Sequence, residues 1–414
     1  MKLRDYQEDI ASQGAAVLAS RGMLYLSMEV RTGKTLTSLS ICDRVKADNV
    51  LFLTKKKAMS SIADDCNMLC PSFVLFIMNY ESIHKLPDVK WDVIVCDEAH
   101  TMGAFPKPSK RSKQVKELVA KNRSKVIFMS GTPTPESFSQ MYHQVFVHPN
   151  NPFAEYRNFY RFADKHVNVM QRYLGHGMVK DYTMGRPSII DAMKPYTISY
   201  TQKEAGFIGE IEEEVMYVSM NDSTYNMCRT LKKDLVLTGK DEVVVADTGA
   251  KLMQKLHQLF SGTIIFESGN SMVTDTSKAE AIANKFDGKK IGIFYKFKAE
   301  FEAIKKVFGK ENVTQDIATF DNTDCKVIAL QIVSGREGIS LRNAEYLVFY
   351  NIDFSATSYW QARDRMTTKD RKFNKVYWVF AKGGIEEKIY QTVNKKKDYT
   401  LQHFKRDLLN LFPL

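Results

Sequence analysis

Trp91-Asp92-Val93-Ile94-Val95-Cys96-Asp97-Glu98-Ala99-His100 is the stretch that decides the fold of this chain. Its apolar half is rich in valine and isoleucine, which predicts a buried strand of a parallel sheet. Open α/β sheets bind ligands outside the carboxyl ends of such strands, so Asp97 and Glu98 are expected to leave the core at a site. Because adjacent residues on a strand point to opposite sides, Asp97 is expected to face a metal and Glu98 a water. Taken alone, the pattern fits an ordinary loop start about as well.

A second informative segment, Glu29-Val30-Arg31-Thr32-Gly33-Lys34-Thr35, lies upstream between a predicted strand and a predicted helix. Strand, tight loop, Gly-Lys-Thr and helix form the context of a phosphate-binding loop. The start of the helix offers free N–H groups to a phosphate, and Gly33 allows close approach of the backbone. Lys34 is then expected to reach the β- and γ-phosphates and the Thr35 hydroxyl to ligate Mg²⁺. Met28 departs from the full pattern, which has glycine or alanine at that position.

Length and composition limit the class of protein. A chain of 414 residues suits two or three domains. The formal charge of +11 favours a polyanionic partner. No apolar run approaches the roughly 20 residues of a membrane helix, and the N-terminus does not resemble a signal peptide, so a cytoplasmic protein without a membrane partner is expected. Six scattered cysteines predict buried free thiols in a reducing compartment and no zinc site.

Further strands extend the first unit. The run 49–54 predicts a strand that ends in Lys55, Lys56 and Lys57, which either contact a nucleic-acid backbone or form a solvated turn. The run 125–129 predicts another strand, followed by Ser130-Gly131-Thr132-Pro133. From about 150 to 262 the chain is rich in aromatic residues, and we expect a mostly helical region with a local aromatic core.

A second α/β unit is predicted after this region. Strands are expected at 291–295, 325–332, 345–350 and 375–380, and a helix at 298–308. Beyond them, Gln361 and Arg365 are four residues apart and share one face of a helix. That face is able to present an amide and a guanidinium to a γ-phosphate, although such a face is more often simply solvated.

The ordered set Tyr6-Gln7, Gly33-Lys34-Thr35, Asp97-Glu98-Ala99-His100 and Ser130-Gly131-Thr132-Pro133 resembles the superfamily two helicases and translocases of the DEAH-type Swi/Snf branch. The compact phage and bacterial members are the most similar. The resemblance implies an α/β fold with two RecA-like parallel-sheet lobes and a helical insertion between them. The expected bounds are 1–148 for lobe one, 149–262 for the insertion and 263–414 for lobe two with a closing helix. ATP and Mg²⁺ are the implied cofactors.

The resemblance also implies roles for individual residues, in four groups. The catalytic candidates are Lys34, Asp97, Glu98, Gln361 and Arg365. The nucleotide-binding candidates are Tyr6, Gln7, Arg31, Thr32, Gly33, Lys34, Thr35 and Gly338. The metal candidates are Thr35 and Asp97. The nucleic-acid candidates are Lys55, Lys56, Thr132, Ser334 and Arg336. Ser130 and Thr132 are further expected to couple the ATP state to the grip on nucleic acid.

The implied function is an ATP-driven translocase or helicase that moves along or remodels duplex or branched DNA in replication, recombination or repair. A monomer is expected, with a replication or recombination protein as a partner. The chain departs from the family at Arg31, usually glycine, and at Thr368, usually a second arginine, so Arg371 is an alternative to Arg365 as the arginine finger. Two alternatives stay open: an RNA helicase with the same motor, and an ATP-gated DNA clamp with little turnover.

Overall fold

The chain divides into two compact units, Met1–Phe207 and Ile208–Leu414. The computed structural model describes residues 3–173, 178–206, 210–239, 242–332, 341, 343–355, 362–363 and 373–394. Among the described residues, none of the helices combines the length and the apolarity that crossing a bilayer requires.

The first unit is built on a six-stranded parallel sheet. Its strands and those of a small hairpin are β1 Met23–Met28, β2 Asn49–Thr54, β3 Val74–Asn79, β4 Val93–Cys96, β5 Lys125–Met129, β6 Met170–Tyr173, β7 Met178–Asp181 and β8 Thr197–Tyr200. The order in the sheet is β3-β2-β4-β5-β1-β8. Strands β6 and β7 pair antiparallel outside it. The strands predicted at 49–54 and 125–129 are confirmed.

Helices cover both faces of this sheet. They are α1 Asp5–Arg21, α2 Lys34–Arg44, α3 Met59–Leu69, α4 Lys110–Asn122, α5 Met141–Val145, α6 Phe159–His166 and α7 Ser188–Met193. Short 3-10 helices lie at Lys56–Ala58, Tyr80–Lys85, Ala99–Met102, Phe138–Gln140 and Lys194–Tyr196. Side chains of β1 alternate between two cores, because successive residues of a strand point to opposite faces. Met23 and Tyr25 enter one core, and Leu24 and Leu26 enter the other.

The second unit repeats this plan. Its strands are β9 Glu210–Val218, β10 Val236–Thr238, β11 Val243–Val245, β12 Thr263–Ile265, β13 Ser271–Val273, β14 Ile291–Tyr295, β15 Val313–Thr314, β16 Val327–Gln331, β17 Tyr346–Phe349 and β18 Phe373–Ala381. Six of them form a parallel sheet in the order β15-β16-β14-β17-β18-β9. The pairs β10–β11 and β12–β13 are antiparallel hairpins.

The helices of the second unit are α8 Asp222–Asp234, α9 Gly249–Phe260, α10 Ser277–Lys285, α11 Lys298–Phe308, α12 Ile317–Asn322 and α13 Glu386–Val393, with a 3-10 helix at Lys310–Asn312. The core contains one fully buried ion pair, Lys278 Nζ to Glu386 Oε1 at 2.6 Å. The predicted α/β class with two parallel-sheet lobes is confirmed by this architecture.

The prediction that residues from about 150 to 262 are mostly helical is wrong in part. It contains α6 to α9, but also β6 to β11, and β8 and β9 are edge strands of the two large sheets. Edge strands and small hairpins depend on the neighbour with which they pair, so local periodicity does not reveal them. The predicted aromatic core is present, since Phe153, Phe159 and Phe162 are buried. The bounds at 148 and 262 stay a prediction, and the contacts of the chain divide it at Phe207 instead.

The cysteines are free, as predicted, but they are not all buried. Cys42, Cys96 and Cys228 are buried, Cys66 and Cys325 are half-buried, and Cys70 is exposed where it ends α3.

Candidate nucleotide-binding site

The loop between β1 and α2 has the backbone of a tight anion-binding turn. Gly33 caps α2 in the left-handed region with φ of 82°, and α2 begins at Lys34. A Cβ atom on Gly33 would lie 2.0 Å from Nε2 of Gln7, and the positive φ would strain any other residue, so a substitution would displace Gln7 and strain the turn. The loop therefore places the first N–H groups of α2 at the carboxyl edge of the sheet, where a phosphate is favoured.

Arg31 lies in the same loop with φ of 63°. This left-handed conformation is the one that glycine adopts freely, whereas another residue pays roughly 1 kcal/mol or more for it. Arginine at position 31, where the family usually has glycine, therefore leaves the turn intact but adds backbone strain. Thr32 is fully buried, and its hydroxyl donates to the carbonyl of Glu29 at 2.7 Å, which closes the turn.

Lys34 extends back across the loop. Its ammonium donates to the carbonyls of Met28 at 2.9 Å and Glu29 at 3.0 Å. The same charge lowers the pKa of Asp97, so Lys34 acts electrostatically on the acidic strand end. The lysine of the loop and the carboxylate of β4 therefore share one site. Thr35 follows in the first turn of α2.

The start of α1 is tied to this loop. Gln7 is buried, accepts from the backbone N–H of Arg4 at 3.0 Å and donates to the carbonyl of Gly33 at 3.4 Å. The Tyr6 hydroxyl donates to the carbonyl of Thr32 at 3.2 Å. In this structure the Gln7 amide joins the helix to the loop, and its predicted contact with an adenine edge stays a prediction.

Two further residues brace the loop, and the sequence analysis missed both. Tyr200 stacks on Tyr6 with ring centres 4.8 Å apart, and its carbonyl accepts from the Glu29 N–H at 2.9 Å. Gln202 donates through its side chain to the carbonyl of Val30 at 3.0 Å and through its backbone to the Glu29 carboxylate at 2.7 Å. Both residues are about 170 positions from the loop, and only the parallel pairing of β8 with β1 brings them there.

The acid pair lies beside the loop at the end of β4. Thr54 donates to Oδ2 of Asp97 at 2.7 Å, and the Glu98 N–H donates to Oδ1 at 3.0 Å. The Tyr80 hydroxyl donates to the Asp97 carbonyl at 2.7 Å. Burial and the neighbouring Glu98 raise the pKa of Asp97 to about 6, against the lowering effect of Thr54 and Lys34.

Asp97 and Glu98 do not alternate across a strand, so the prediction that they point to opposite sides of a strand is wrong. Strand β4 ends at Cys96, and Glu98 adopts the left-handed conformation with φ of 48°. The two carboxylates are separated by a turn of the backbone, not by the pleat of a strand. They still point to different partners, because Asp97 meets Thr54 and Glu98 meets His100.

A polar relay links Glu98 to the end of β5. Nδ1 of His100 lies 3.3 Å from Oε2 of Glu98 and 3.0 Å from Oγ of Ser130. Oγ of Ser130, which is buried, also accepts from the Thr132 N–H at 3.1 Å. Glu98 and His100 are in ion-pair range and His100 and Ser130 are in hydrogen-bond range, so a change at the acid pair has a short route to the segment 130–133. The coupling role expected for Ser130 and Thr132 stays a prediction.

The metal candidates suit a magnesium ion that is held mainly by water and phosphate. Within the described part of the chain, no group of three or more His, Cys, Asp or Glu could hold a metal by itself. Mg²⁺ needs only one or two protein ligands beside a nucleotide, so Thr35 and Asp97 suffice. Asp97 and Glu98 place two adjacent carboxylates at this site, and a divalent cation would offset their negative charge.

The remaining candidates divide into described and undescribed residues. Lys55 is half-buried and Lys56 is exposed, at the carboxyl end of β2 and thus on the same edge as the loop. Their contact with nucleic acid stays a prediction. The candidates of the second unit, together with the two positions discussed for the arginine finger, lie outside the described residues: Ser334, Arg336, Gly338, Gln361, Arg365, Thr368 and Arg371.

Arg363, which lies close to several of these positions in sequence, is a described residue with a clear partner. Arg363 pairs with Glu213 on β9 at 2.8 Å, and the other oxygen of Glu213 accepts from Trp378 at 2.9 Å and Tyr390 at 3.1 Å. The guanidinium of Arg363 therefore has a structural partner inside the second unit. The sequence around Arg363 does not indicate that this residue pairs with Glu213.

Comparisons with known proteins assign the chain to a family. A family profile described as "SNF2-related domain" matches residues 44–263, more than half of the chain. No curated protein sequence matches significantly. Among solved structures, the Sulfolobus solfataricus SWI2/SNF2 ATPase core in complex with dsDNA is similar at 18% identity, over 100% of this chain and 97% of the other, with a TM-score of 0.44.

Proposed function

From the membership of this chain in the SNF2-related family of nucleic-acid-stimulated ATPases, we propose that it is an ATP·Mg²⁺-driven motor that moves along or remodels duplex or branched DNA. Replication, recombination or repair is the proposed setting, in the cytoplasm of a bacterial cell or of a phage host. A monomer with a replication or recombination partner is the proposed working form.

The observation that carries the proposal is the meeting of two segments at one sheet edge. The loop at the start of α2 and the acid pair after β4 are about 60 residues apart in sequence, yet both follow the carboxyl ends of parallel strands of one sheet, with β5 between β4 and β1. A phosphate-binding helix start, a lysine and two carboxylates are the parts that hydrolysis of a nucleoside triphosphate requires.

Each of these residues has a separate task in the proposed reaction. The N–H groups at the start of α2 and the ammonium of Lys34 bind phosphate oxygens. Thr35 and Asp97 would hold Mg²⁺, which supplies charge neutralisation to the phosphates when it is bound. Glu98 orients the attacking water and accepts its proton as a general base. The His100 and Ser130 contacts hold the Glu98 carboxylate toward the end of β5.

The proposed DNA contact depends mainly on charge. The chain carries a formal charge of +11, and Lys55 and Lys56 lie at the same sheet edge as the nucleotide loop. Phosphate contacts are insensitive to sequence and release counterions, so the stimulation by DNA should fall steeply as salt is raised. Thr132, Ser334 and Arg336 are the other proposed contacts, and Arg365 is the proposed arginine finger.

The test is steady-state ATP turnover with single-stranded, duplex, forked and four-way-junction DNA and with matched RNAs. We expect duplex or branched DNA to give the strongest stimulation. Stimulation by RNA alone would replace the DNA motor by the RNA helicase. Binding of ATP without turnover on any nucleic acid would favour the gated clamp, with Arg31 and Thr368 as the residues to restore.

Glu98→Gln tests the assignment of the site within the same assay. The amide keeps the size of the side chain but cannot accept the proton, so turnover should fall by about 10² to 10⁴-fold while ATP binding persists. Glu81→Gln, at an exposed carboxylate paired with Arg111, is the matched control and should keep its turnover. Unchanged turnover in Glu98→Gln would contradict the proposed role.

A further inference from the structure

A cavity of about 970 Å³ lies in the first unit, away from the nucleotide loop. Gly22, which precedes β1, and Ser124 and Lys125 at the start of β5 line one side of it. The carboxyl half of α4 and residues 142–160 line the rest. The cavity thus lies at the amino ends of the strands, whereas the nucleotide loop and the acid pair follow their carboxyl ends. It is a separate site on the opposite edge of the sheet.

The inner wall of the cavity is mainly aromatic. Phe153 and Phe159 are almost fully buried and anchor it to the core, while 47% of Tyr160 is exposed at the rim. The Tyr142 hydroxyl donates to the carbonyl of Tyr156 at 3.1 Å, which connects two sides of the wall. A preformed aromatic wall of this size is typical of a site that receives one or a few apolar groups.

The rim is strongly cationic. Its charged side chains are Lys107, Lys116, Arg123, Lys125 and Arg157. The described residues that line the cavity include no carboxylate, and none of these five cations forms an ion pair with a described residue. Elsewhere on α4, Arg111 pairs with Glu81 and Lys121 with Asp88 at 2.7 Å, whereas Lys110 and Lys113 have no ion pair with a described residue. The rim therefore differs from its surroundings in grouping five cations, with no carboxylate among its described residues, around an aromatic wall.

We propose that this cavity docks an acidic segment of a partner protein, which inserts an aromatic or aliphatic side chain against the wall while its carboxylates meet the cationic rim. An apolar anchor in a desolvated pocket supplies most of the affinity of such a contact, and complementary charge supplies orientation and association rate. Bases can stack on aromatic side chains as well, so binding of a nucleic acid is an outcome that the test has to separate from docking of a peptide. The proposal does not depend on the proposed DNA motor.

Lys116 is the residue that best joins the two halves of the site. Its ammonium lies 4.4 Å from the ring centre of Phe146, over an aromatic face that also lines the cavity. A carboxylate that approaches Lys116 therefore brings its neighbouring side chain to the aromatic wall. Arg157 is exposed and lies in the segment that forms the other side.

The experiment is a selection of random twelve-residue peptides displayed on phage against the full chain, followed by fluorescence anisotropy of the enriched peptides. We expect enriched sequences with net negative charge and an aromatic or aliphatic anchor. They should bind the Lys116→Glu/Arg157→Glu variant at least tenfold more weakly, and Tyr160→Ala severalfold more weakly. Lys121→Glu makes the same charge change on another face of α4 and should bind as the wild type does.

The proposal is overturned if no peptide is enriched, if the enriched peptides are neutral or basic, or if the double variant binds them as tightly as the wild type does. Direct binding of a labelled single-stranded oligonucleotide that weakens at least tenfold in the double variant, without any enriched acidic peptide, would assign the cavity to nucleic acid and also overturn the proposal. The double variant should keep its thermal unfolding midpoint and its DNA-stimulated ATP turnover. Failure of the docking site is therefore distinguishable from failure of the motor.

Discussion

At the scale of single residues, the chemistry of this chain depends on how buried polar groups are partnered. Asp97 is the clearest case. Its two carboxylate oxygens each accept a hydrogen bond, from Thr54 and from the Glu98 backbone, in a place where burial raises its pKa to about 6. These two hydrogen bonds hold the Asp97 carboxylate in one orientation, which suits a side chain that has to position a ligand.

Thr54→Val should lower ATP turnover by about tenfold or more, because it removes the donor to Oδ2 of Asp97 and leaves a half-buried carboxylate without that partner. Thr54→Ser keeps the hydroxyl and should retain most of the activity. The measurement is kcat for ATP with saturating DNA, with the thermal midpoint of each variant as a check on folding. Equal losses in the valine and serine variants would show that the methyl group, not the hydrogen bond, matters.

His143 and His148 should make the first unit sensitive to acid. Burial lowers the pKa of each to about 4, while the unfolded chain has the ordinary value near 6.5. As the pH falls below 6.5 the unfolded state takes up the proton first, so stability is lost between about pH 6.5 and pH 4. The expected loss at pH 5 is on the order of 1 to 2 kcal/mol for each histidine.

The measurement is urea unfolding at pH 7 and pH 5, followed by circular dichroism. Replacing His148 by glutamine should reduce the difference in unfolding free energy between the two pH values. His84→Gln, at an exposed histidine, is the control and should leave the difference unchanged. A wild-type protein that is equally stable at both pH values would contradict the role of the buried histidines.

At the scale of elements, the nucleotide loop is held by a strand that is remote in sequence. Strand β8 pairs in parallel with β1 and carries Tyr200, which stacks on Tyr6. Gln202 follows and donates to the carbonyl of Val30. The loop is therefore clamped between the start of α1 and the end of β8, and both elements are expected to set its affinity for nucleotide.

Tyr200→Ala should raise the KM for ATP severalfold with a smaller effect on kcat, because the stacked support of Tyr6 is lost while the acid pair is unchanged. Tyr200→Phe keeps the ring and should behave like the wild type. Steady-state kinetics with saturating DNA distinguish the two variants. A fall in kcat without a change in KM would show that the pair acts on the chemical step and not on nucleotide binding.

At the scale of the whole molecule, each unit has its own parallel sheet and its own core. The core of the first unit extends well past residue 148, since Phe153, Phe159, Phe162 and Ile189 all belong to it. Fully burying one such aromatic side chain is worth roughly 1.5 to 3 kcal/mol, so three of them approach the total stability of a typical domain.

A fragment of residues 1–207 should therefore fold cooperatively, whereas a fragment of residues 1–148 should unfold at a much lower temperature or aggregate. The longer fragment keeps β8 and the aromatic core, and the shorter one exposes the edge of β1 and lacks Phe153, Phe159 and Phe162. Thermal unfolding followed by circular dichroism, together with size-exclusion chromatography, checks this. Equal stability of both fragments would support the domain bound at 148.

The sequence alone indicated the α/β class, the strands β1, β2, β5 and β14, the nucleotide loop and the acid pair. These features are local: a buried parallel strand is a continuous apolar run, and a phosphate loop is a short motif at its end. The order of the motifs also indicated the family, to which the profile match assigns the chain. Lys34, Asp97 and Glu98 were predicted as site residues in this way, and their roles stay a prediction.

Contacts between segments that are distant in sequence were determined only by the tertiary structure. The pairing of β8 with β1 placed Tyr200 and Gln202 on the loop, and the turn at Glu98 brought its carboxylate to His100 and Ser130. It also gathered five unpaired cations around an aromatic cavity from segments between residues 107 and 157. The physical reason is that short edge strands, left-handed turns and cavity walls are stabilised by contacts with remote neighbours, and a local pattern does not contain those contacts.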